Sequence, residues 1–364
     1  MTELAATARP VPSRNEGGLL PAIDPIVSLP IVTLLPFSRC NCRCAMCEIW
    51  KEKNGVALSR HDVERLLPDL LRLGTRRVVL SGGEPLMHPD LFGLVAPVKE
   101  AGIGLTLLSS GLLLERFAIA IAATFDDVVV SLDGPSDVHD AIRGVPGAFE
   151  RLRRGVAALR AGSPVPFLSG RCTVQLGNLA RLRQTIAAAH AIGLERISFL
   201  AADTTSDAFG RASGWDETSR SRVVPPPSDL STLEEELALL EEENGDDLAS
   251  WFVAESGPKL RSRLLDHFRA LLGDGAFAES TCNAPWVSAV VESDRTLRPC
   301  FFHPAYGRID GEAGLADLLN GEAALGFRRG LDVAANPVCV RCPCRLNLRG
   351  GTEGSALTRP GGPA

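Results

Sequence analysis

The chain has 364 residues, of which 45% are hydrophobic and 23% charged, so it has room for one large α/β domain and a smaller unit. Its formal net charge is −6, and this lack of a basic surplus argues against nucleic acid or an anionic membrane surface as a main partner. No apolar run approaches the ~20 residues that a membrane-spanning helix needs.

Residues 1–27 contain prolines and glycines but no apolar stretch of the kind found in an export signal. We therefore expect a disordered N-terminal arm and a cytoplasmic protein. Ten cysteines in a reducing compartment indicate metal ligands rather than disulfides.

Short apolar strands alternate with helical patterns from residue 28 to 205. In the first helix, Ser59 and Asp62 form a plausible capping pair, Gly74 is a suitable end, and Pro68 predicts a kink or an early break. Strands are predicted at 28–37, 76–83, 103–111, 126–134, 166–175 and 195–203. Six strand-then-helix units predict a parallel α/β sheet, arranged as a partial (β/α)6 TIM-like barrel.

The residues suited to chemistry follow the predicted strands, where parallel sheets place their active sites. "RCNCRCAMCEIW" (39–50) follows strand one, "SGGEPL" (81–86) follows strand two, and "SLDG" (131–134) ends strand four. We therefore expect these segments to meet at one end of the barrel.

The cysteine segment contains the spacing Cys40-x3-Cys44-x2-Cys47, with Cys42 expected to face away as a bystander. Three thiolates on a tight loop can hold three irons of a [4Fe–4S] cube and leave the fourth iron open to a small molecule. Zinc is the alternative, although it usually takes four ligands from two separated pairs.

This cysteine spacing, followed by "SGGEPL" after strand two, resembles that of radical S-adenosylmethionine (radical SAM) enzymes, with residues 28–205 as their core. The resemblance implies a SAM-binding [4Fe–4S] cluster and reductive cleavage of SAM to a 5′-deoxyadenosyl radical that abstracts hydrogen from a substrate. It also implies an electron donor such as flavodoxin or ferredoxin.

The same resemblance suggests roles for individual residues near SAM. Glu84 would accept a hydrogen bond from the SAM ammonium group. The two glycines before it allow close backbone approach, and Pro85 after it stiffens the turn. Arg143 or Arg171 would pair with the SAM carboxylate, although an ordinary ion pair is as good an interpretation of Arg143. The full set of expected cofactor contacts is Gly82, Gly83, Glu84, Pro85, Ser109, Ser131, Asp133, Arg143 and Arg171.

Residues 206–280 are predicted to be an insertion with linking helices. An acidic surface helix is expected at 229–247 and an amphipathic helix at 258–273. The loop at 204–230, with Trp215, is a candidate substrate lid.

A second cysteine set lies in residues 281–348, which resemble the auxiliary-cluster domains called SPASM and twitch. The expected ligands are Cys282, Cys300, Cys339 and Cys342, with Cys344 as the first substitute. We expect one auxiliary [4Fe–4S] cluster, with zinc as the alternative. A disordered tail is predicted at 349–364.

The leading functional hypothesis is a radical SAM oxidoreductase that dehydrogenates its substrate with help from the auxiliary cluster. A redox-neutral epimerase or dehydratase acting on a sugar-like substrate is the alternative, in which Cys172 could return hydrogen. A non-catalytic metal-binding sensor or scaffold is the third hypothesis. With no room for a peptide-recognition domain before strand one, a small-molecule substrate is favoured over a peptide, and neither nucleic acid nor membrane is expected as a partner.

Overall fold

A computed structural model describes residues 24–211, 215–310 and 313–349 of the chain. Within these ranges the chain forms nine β-strands and fifteen α-helices. The strands are β1 Ile31–Leu34, β2 Arg77–Leu80, β3 Gly104–Ser109, β4 Asp127–Ser131, β5 Phe167–Val174, β6 Arg196–Ala201, β7 Ser288–Val291, β8 Thr296–Arg298 and β9 Gly307–Arg308. The helices are α1 Arg60–Arg72, α2 Leu91–Glu100, α3 Leu114–Thr124, α4 Ser136–Arg143, α5 Ala148–Arg160, α6 Leu182–Ile192, α7 Glu217–Arg220, α8 Leu230–Glu243, α9 Gly245–Ala249, α10 Gly257–Arg261, α11 His267–Leu271, α12 Ala284–Val287, α13 Leu315–Leu319, α14 Glu322–Gly330 and α15 Pro337–Arg341.

One mixed sheet organises the described part of the molecule, in the order β6-β5-β4-β3-β2-β1-β7-β8-β9. Strands β1 to β6 are parallel, and each pairs with its neighbour in sequence. Because β6 and β9 stand at opposite edges, the sheet stays open. The predicted partial barrel is therefore confirmed, as are all six predicted strands.

The helices of the core follow the predicted pattern. Ser59 caps α1, with a reciprocal hydrogen bond between its backbone N–H and the Asp62 side chain, as the sequence predicts. The prediction for Pro68 was wrong in part, because α1 continues through it to Arg72 rather than ending early. An unpredicted helix, α4, follows β4 and carries Arg143 at its last position.

The helices after the barrel are built into the core. The predicted acidic surface helix corresponds to α8, but its leucine face is buried, at Leu230, Leu233, Leu237 and Leu240. Its Glu236 carboxylate accepts hydrogen bonds from Arg183 at the start of α6. The predicted amphipathic helix is observed as α10 and α11, joined by a π-helical turn at Ser262–Asp266.

The C-terminal unit continues the barrel sheet. Strand β7 pairs in parallel with β1, with Ile31 opposite Ser288, and β8 returns antiparallel to β7 as the predicted hairpin. The cysteine-rich unit is therefore joined edge to edge with the core. The domain boundaries proposed from the sequence remain predictions.

The two ends of the chain extend beyond the described residues. Residues 1–23 of the predicted arm and 350–364 of the predicted tail lie outside them. The last residues of the predicted arm contact the C-terminal unit. The Ile26 N–H donates to Asn320 Oδ1 at 2.7 Å, and Asp24 forms an ion pair with Arg328 at 2.5 Å. Among the described residues, no helix is both long and apolar enough to cross a bilayer.

Candidate active site

The cysteine loop after β1 is held on two sides by backbone contacts. The end of α4 accepts hydrogen bonds from the loop, from Arg43 N to Arg143 O at 2.8 Å and from Ala45 N to Ile142 O at 2.9 Å. On the opposite side, Glu84 N donates to Arg39 O at 2.8 Å. These bonds satisfy loop backbone groups that would otherwise be buried without partners, and they fix the path of the loop.

Two glycines permit the close approach of the GGEP segment. A Cβ atom at Gly83 would lie 2.0 Å from Arg39 O, so only glycine fits there. Gly82 has φ of +102°, a conformation that residues with side chains rarely adopt. Both glycines line the cavity at the carboxyl ends of the parallel strands, hereafter the main cavity because the cysteine loop lines it too. Their contact with SAM stays a prediction.

Four cysteines of the loop line the cavity, which has a volume of about 220 Å³. Cys40, Cys44 and Cys47 meet there as predicted. Cys42, expected to face away, also lines the cavity, and its thiol hydrogen bonds to the sulfurs of Cys40 and Cys44. The expectation that Cys42 faces away was therefore wrong, because the tight loop turns all four thiols towards one space.

The electrostatics of the loop favour a thiolate at Cys44. A hydrogen bond from the Cys42 thiol and the nearby Arg143 guanidinium, with Nη1 3.5 Å from Sγ, together lower the pKa of Cys44 to about 6. Burial raises the pKa of Cys47 to about 12. Because the thiolate is the ligating form, metal binding would have to displace the Cys47 proton.

Glu84 lies behind the cavity wall rather than in it. Its carboxylate is fully buried and accepts four hydrogen bonds, from Leu86 N, Ser109 Oγ, Ser110 N and Ser110 Oγ, at 2.6–3.1 Å. These bonds join the segment after β2 to the end of β3 and fill the acceptor positions of the carboxylate. A contact from Glu84 to the SAM ammonium group stays a prediction, and it requires one serine hydroxyl to turn away.

Asp133 and Arg143 form a buried ion pair with an Nη2 to Oδ2 distance of 2.6 Å. Asp133 is fully buried, and its Oδ1 also accepts from Thr173 N at 2.9 Å. Asp133 is absent from the cavity lining, whereas Arg143 and Ser131 belong to it. The ion-pair interpretation of Arg143 therefore describes what its guanidinium does here.

Arg171 on β5 lines the cavity, and no ion pair involving it occurs among the described residues. Its Nε donates to Ser198 Oγ at 3.5 Å. A guanidinium suits bidentate binding of a carboxylate.

Cys172 lies on the other face of β5. Successive strand residues point to opposite faces, so while Arg171 and Thr173 line the cavity, Cys172 packs into the hydrophobic core with no exposed surface. Asn178 Nδ2 lies 3.5 Å from its sulfur. Cys172 is thus not placed to return hydrogen to a molecule in the cavity.

The loop after β6, part of the predicted substrate lid, borders the cavity through residues that the sequence analysis did not single out. Asp203, Phe209 and Arg211 line the cavity, and Arg211 pairs with Asp203 at 3.0 Å while lying over the Trp215 ring at 4.6 Å. Trp215 Nε1 in turn donates to Glu48 Oε1 at 3.0 Å. Asp203 could have been found by the same rule that located the other segments, since it follows the carboxyl end of a parallel strand.

The five C-terminal cysteines are all free of disulfides. Backbone N–H groups of Ala284 and Leu346 lie 3.5 and 3.3 Å from Cys282 Sγ, and His303 Nε2 lies 3.1 Å from Cys339 Sγ. Hydrogen bonds to sulfur are typical around thiolate-bound clusters. His303 thus contacts the sulfur of Cys339, an expected cluster ligand, and the sequence did not indicate this contact.

The residues present fit a [4Fe–4S] cube at the first cysteine set. Three thiols in one cavity, one of them already favoured as thiolate, match the three ligands that such a cube takes from a protein when one iron is left open. Within the described ranges, no three His, Cys, Asp or Glu side chains converge as a single metal ion requires. A cube does not need that convergence, since each cysteine binds a different iron.

Comparison with known proteins agrees with this geometry. Residues 34–189 match the family model of the radical SAM superfamily, a range that runs from the end of β1 into α6. Residues 34–189 therefore form a radical SAM domain. This domain contains the cysteine loop, the GGEP segment, Ser131, Arg143 and Arg171.

Two curated relatives differ in how much of their length is matched. An AdoMet-dependent heme synthase of Methanosarcina barkeri is 33% identical over 42% of this chain, and the match spans less than half, 45%, of that protein. A PqqA peptide cyclase of Ruegeria pomeroyi is 29% identical over 96% of this chain and 89% of its own length.

Two solved structures share the fold of the radical SAM domain and the C-terminal unit. Streptococcus suis SuiB bound to S-adenosylmethionine has a TM-score of 0.61 at 15% identity, covering 87% of this chain and 72% of that one. Native anSMEcpe with bound AdoMet has a TM-score of 0.61 at 18% identity, covering 90% and 92%. At these identities the likeness concerns the fold alone.

Proposed function

We propose that this radical SAM enzyme cleaves S-adenosylmethionine reductively and removes a hydrogen atom from a substrate bound in the main cavity. The observation that carries the proposal is the meeting of Cys40, Cys44 and Cys47 with Gly82 and Arg171 around that one cavity.

The chain's own residues would bind and orient the cofactors. Cys40, Cys44 and Cys47 would hold a [4Fe–4S] cluster, Gly82 and Gly83 would admit the methionine part of SAM, and Arg171 would hold its carboxylate. When bound, the cluster supplies the low-potential electron for SAM cleavage. Apolar groups in the wall, including Leu108, Leu200 and Phe209, would keep water from a reactive intermediate.

The outcome of the reaction is the finer part of the proposal. Net oxidation of the substrate, with an auxiliary [4Fe–4S] cluster on the C-terminal cysteines accepting the second electron, is the first candidate. It is supported by the closeness of that unit to the core, since β7 continues the core sheet. Redox-neutral return of the hydrogen atom is the second candidate, and the thiol of Cys344 in the cavity wall favours it.

The substrate class and the partners are also proposals. A small molecule bound in the cavity is our first candidate for the substrate. A flavodoxin or ferredoxin is our candidate for the electron donor. A peptide is the alternative, supported by the relative named a PqqA peptide cyclase and by a structure of SuiB bound to precursor peptide SuiA.

The experiment is SAM binding and 5′-deoxyadenosine formation by anaerobically reconstituted protein given SAM and a strong reductant. We expect both in the wild type, and loss of 5′-deoxyadenosine in single Cys40→Ala, Cys44→Ala and Cys47→Ala variants. Cys172→Ala is the matched control, because that sulfur lies in the core and should leave cleavage intact. Iron-loaded protein that neither binds nor cleaves SAM would favour the sensor or scaffold hypothesis instead.

A further inference from the structure

The C-terminal unit offers five cysteines, which is one more than a fully protein-bound cube takes. The five differ in what surrounds their sulfurs. Four of them receive hydrogen bonds: Cys282 from Ala284 N and Leu346 N, Cys300 from the backbone at 302 and 303, Cys339 from His303, and Cys342 from the backbone of Cys344. No hydrogen bond to the Cys344 sulfur occurs among the described residues.

Cys344 also differs in where it lies. It is exposed and lines the main cavity together with the radical SAM cysteines, whereas Cys342 lines a separate small cavity beside Arg345. Cys282, Cys300 and Cys339 line neither cavity. The backbone at Cys344 thus supports the expected ligand set while its side chain points into the active site.

The wall of the cavity beside Cys344 also contains a donor that lacks an acceptor. Arg211 is almost wholly buried and lines the same cavity, yet among the described residues its Nε has no hydrogen-bond partner. A buried donor of this kind indicates a ligand with an acceptor oxygen or nitrogen in this part of the cavity.

We propose that Cys344 is a free active-site thiol that contacts the substrate, and that Cys282, Cys300, Cys339 and Cys342 hold the auxiliary cluster. The inference rests on the proposed function and belongs to its redox-neutral candidate. The substrate it implies carries a hydrogen-bond acceptor for Arg211 and presents a carbon-centred radical to the sulfur.

The thiol step balances with the electron donor already proposed. The S–H bond of Cys344 breaks homolytically and a C–H bond forms on the substrate radical. The sulfur radical that remains takes one electron from the flavodoxin or ferredoxin donor and one proton from water, which restores the thiol.

Iron content separates a free thiol from a ligand. We expect anaerobically reconstituted Cys344→Ser protein to retain the wild-type iron content. The matched variant Cys342→Ser should lose roughly half of it, because one of two cubes would be lost. Equal iron loss in both variants, or loss in Cys344→Ser alone, would overturn the proposal.

Alkylation tests exposure of the sulfur to the cavity without relying on activity. Iodoacetamide treatment of the loaded wild type, followed by peptide mass analysis, should modify Cys344, and added SAM or substrate should slow that modification. Cys282, Cys339 and Cys342 should stay unmodified until the clusters are removed. If Cys344 resisted alkylation as fully as Cys282, Cys339 and Cys342, it would not be a free thiol.

The proposed function can fail independently of this inference. The wild type tests the proposed function through its formation of 5′-deoxyadenosine, whereas iron content and alkylation test the state of Cys344. If the wild type forms none, the proposed function fails, while the iron and alkylation results still decide the state of Cys344.

Discussion

Individual arginines in the cavity differ in how their charge is used. Arg143 is matched by Asp133 and Arg211 by Asp203, so each sits in a neutral buried pair. Arg171 has no such partner among the described residues. A buried pair contributes little net stability but holds its members in one geometry, while an unpaired cation in a cavity is available to a ligand.

This difference predicts the effect of removing Arg171 on SAM binding. Arg171→Ala should raise the Kd for SAM roughly ten- to hundredfold, because a charge-assisted hydrogen bond contributes about 1.5–3 kcal/mol. Arg171→Lys should recover part of the loss, since it keeps the charge but not the bidentate geometry. Calorimetric titration of loaded protein with SAM measures both.

Arg116→Ala is the control for this comparison, because Arg116 is exposed on α3 and does not line the cavity. Its Kd should equal the wild-type value. An unchanged Kd in Arg171→Ala would mean that the carboxylate of SAM binds elsewhere.

At the scale of elements, close helix packing positions the loops that form the site. Helices α3 and α5 approach through Gly155, where an added Cβ would lie 2.5 Å from the Leu114 Cβ. Gly111 behaves similarly, with φ of +89° and an added Cβ 2.6 Å from Leu152 Cδ1. These glycines keep α5 close to the end of β3, next to the serines that bind Glu84.

Two helical glycines give a matched pair of substitutions. Gly155→Ala should destabilise the protein by about 1–2 kcal/mol, because the overpacking cost of about 1–3 kcal/mol exceeds the gain in helix propensity. Gly326→Ala in α14, where no atom lies within 4 Å of an added Cβ, should stabilise it by about 0.5–1 kcal/mol. Urea unfolding of both variants measures the difference.

A loss of unfolding free energy in Gly155→Ala together with a gain in Gly326→Ala would identify packing as the cause. If both alanine variants gained stability, the α3–α5 contact would have to be loose enough to absorb a methyl group.

At the scale of the whole molecule, two buried histidines couple stability to pH. Burial lowers the pKa of His139, on α4, to about 4, and that of His267, on α11, also to about 4. Both must stay neutral in the folded state. The unfolded chain binds protons at these sites near the ordinary histidine pKa of 6.5, so acid favours unfolding.

The resulting stability is fully present above about pH 6.5 and is lost as the pH falls towards the folded value of about 4. For His139 the loss should be about 2 kcal/mol at about pH 5. Urea unfolding of wild type and His139→Gln at neutral pH and at about pH 5 measures it, and the variant should show a shallower decline.

His61→Gln is the reference variant, because His61 is exposed on α1. Its pH dependence should match the wild type. Equal slopes in His139→Gln and wild type would show that the His139 site admits water and a charge.

Much of the fold was predictable because its signals are local. Apolar runs of strand length alternated with helical stripes, and the Ser59 cap and the C-terminal hairpin followed from short-range patterns. The early helix end predicted from Pro68 was wrong by about one turn, because α1 continues to Arg72. The leucine face of α8 was overlooked, since dense acidic residues masked its apolar spacing.

The candidate site was predictable in its members and less so in their roles. The carboxyl ends of parallel strands meet at one edge, so the cysteine loop, the glycines and Arg171 could be brought together from order alone. What Glu84 and Asp133 contact could not be foreseen, because Ser109 and Thr173, which donate to them, lie 25 and 40 residues away on β3 and β5. The same holds for Arg211, whose role depends on a loop that returns to the cysteines.

The order of residues is enough to assign a parallel α/β core, three cysteines spaced for a cube, and a second cysteine set downstream. Spacing and strand order carry that information. Folding settles which side of a strand or loop each group faces. It turned Cys172 into the core and Cys344 into the cavity, because side-chain direction depends on backbone register and on packing between distant segments.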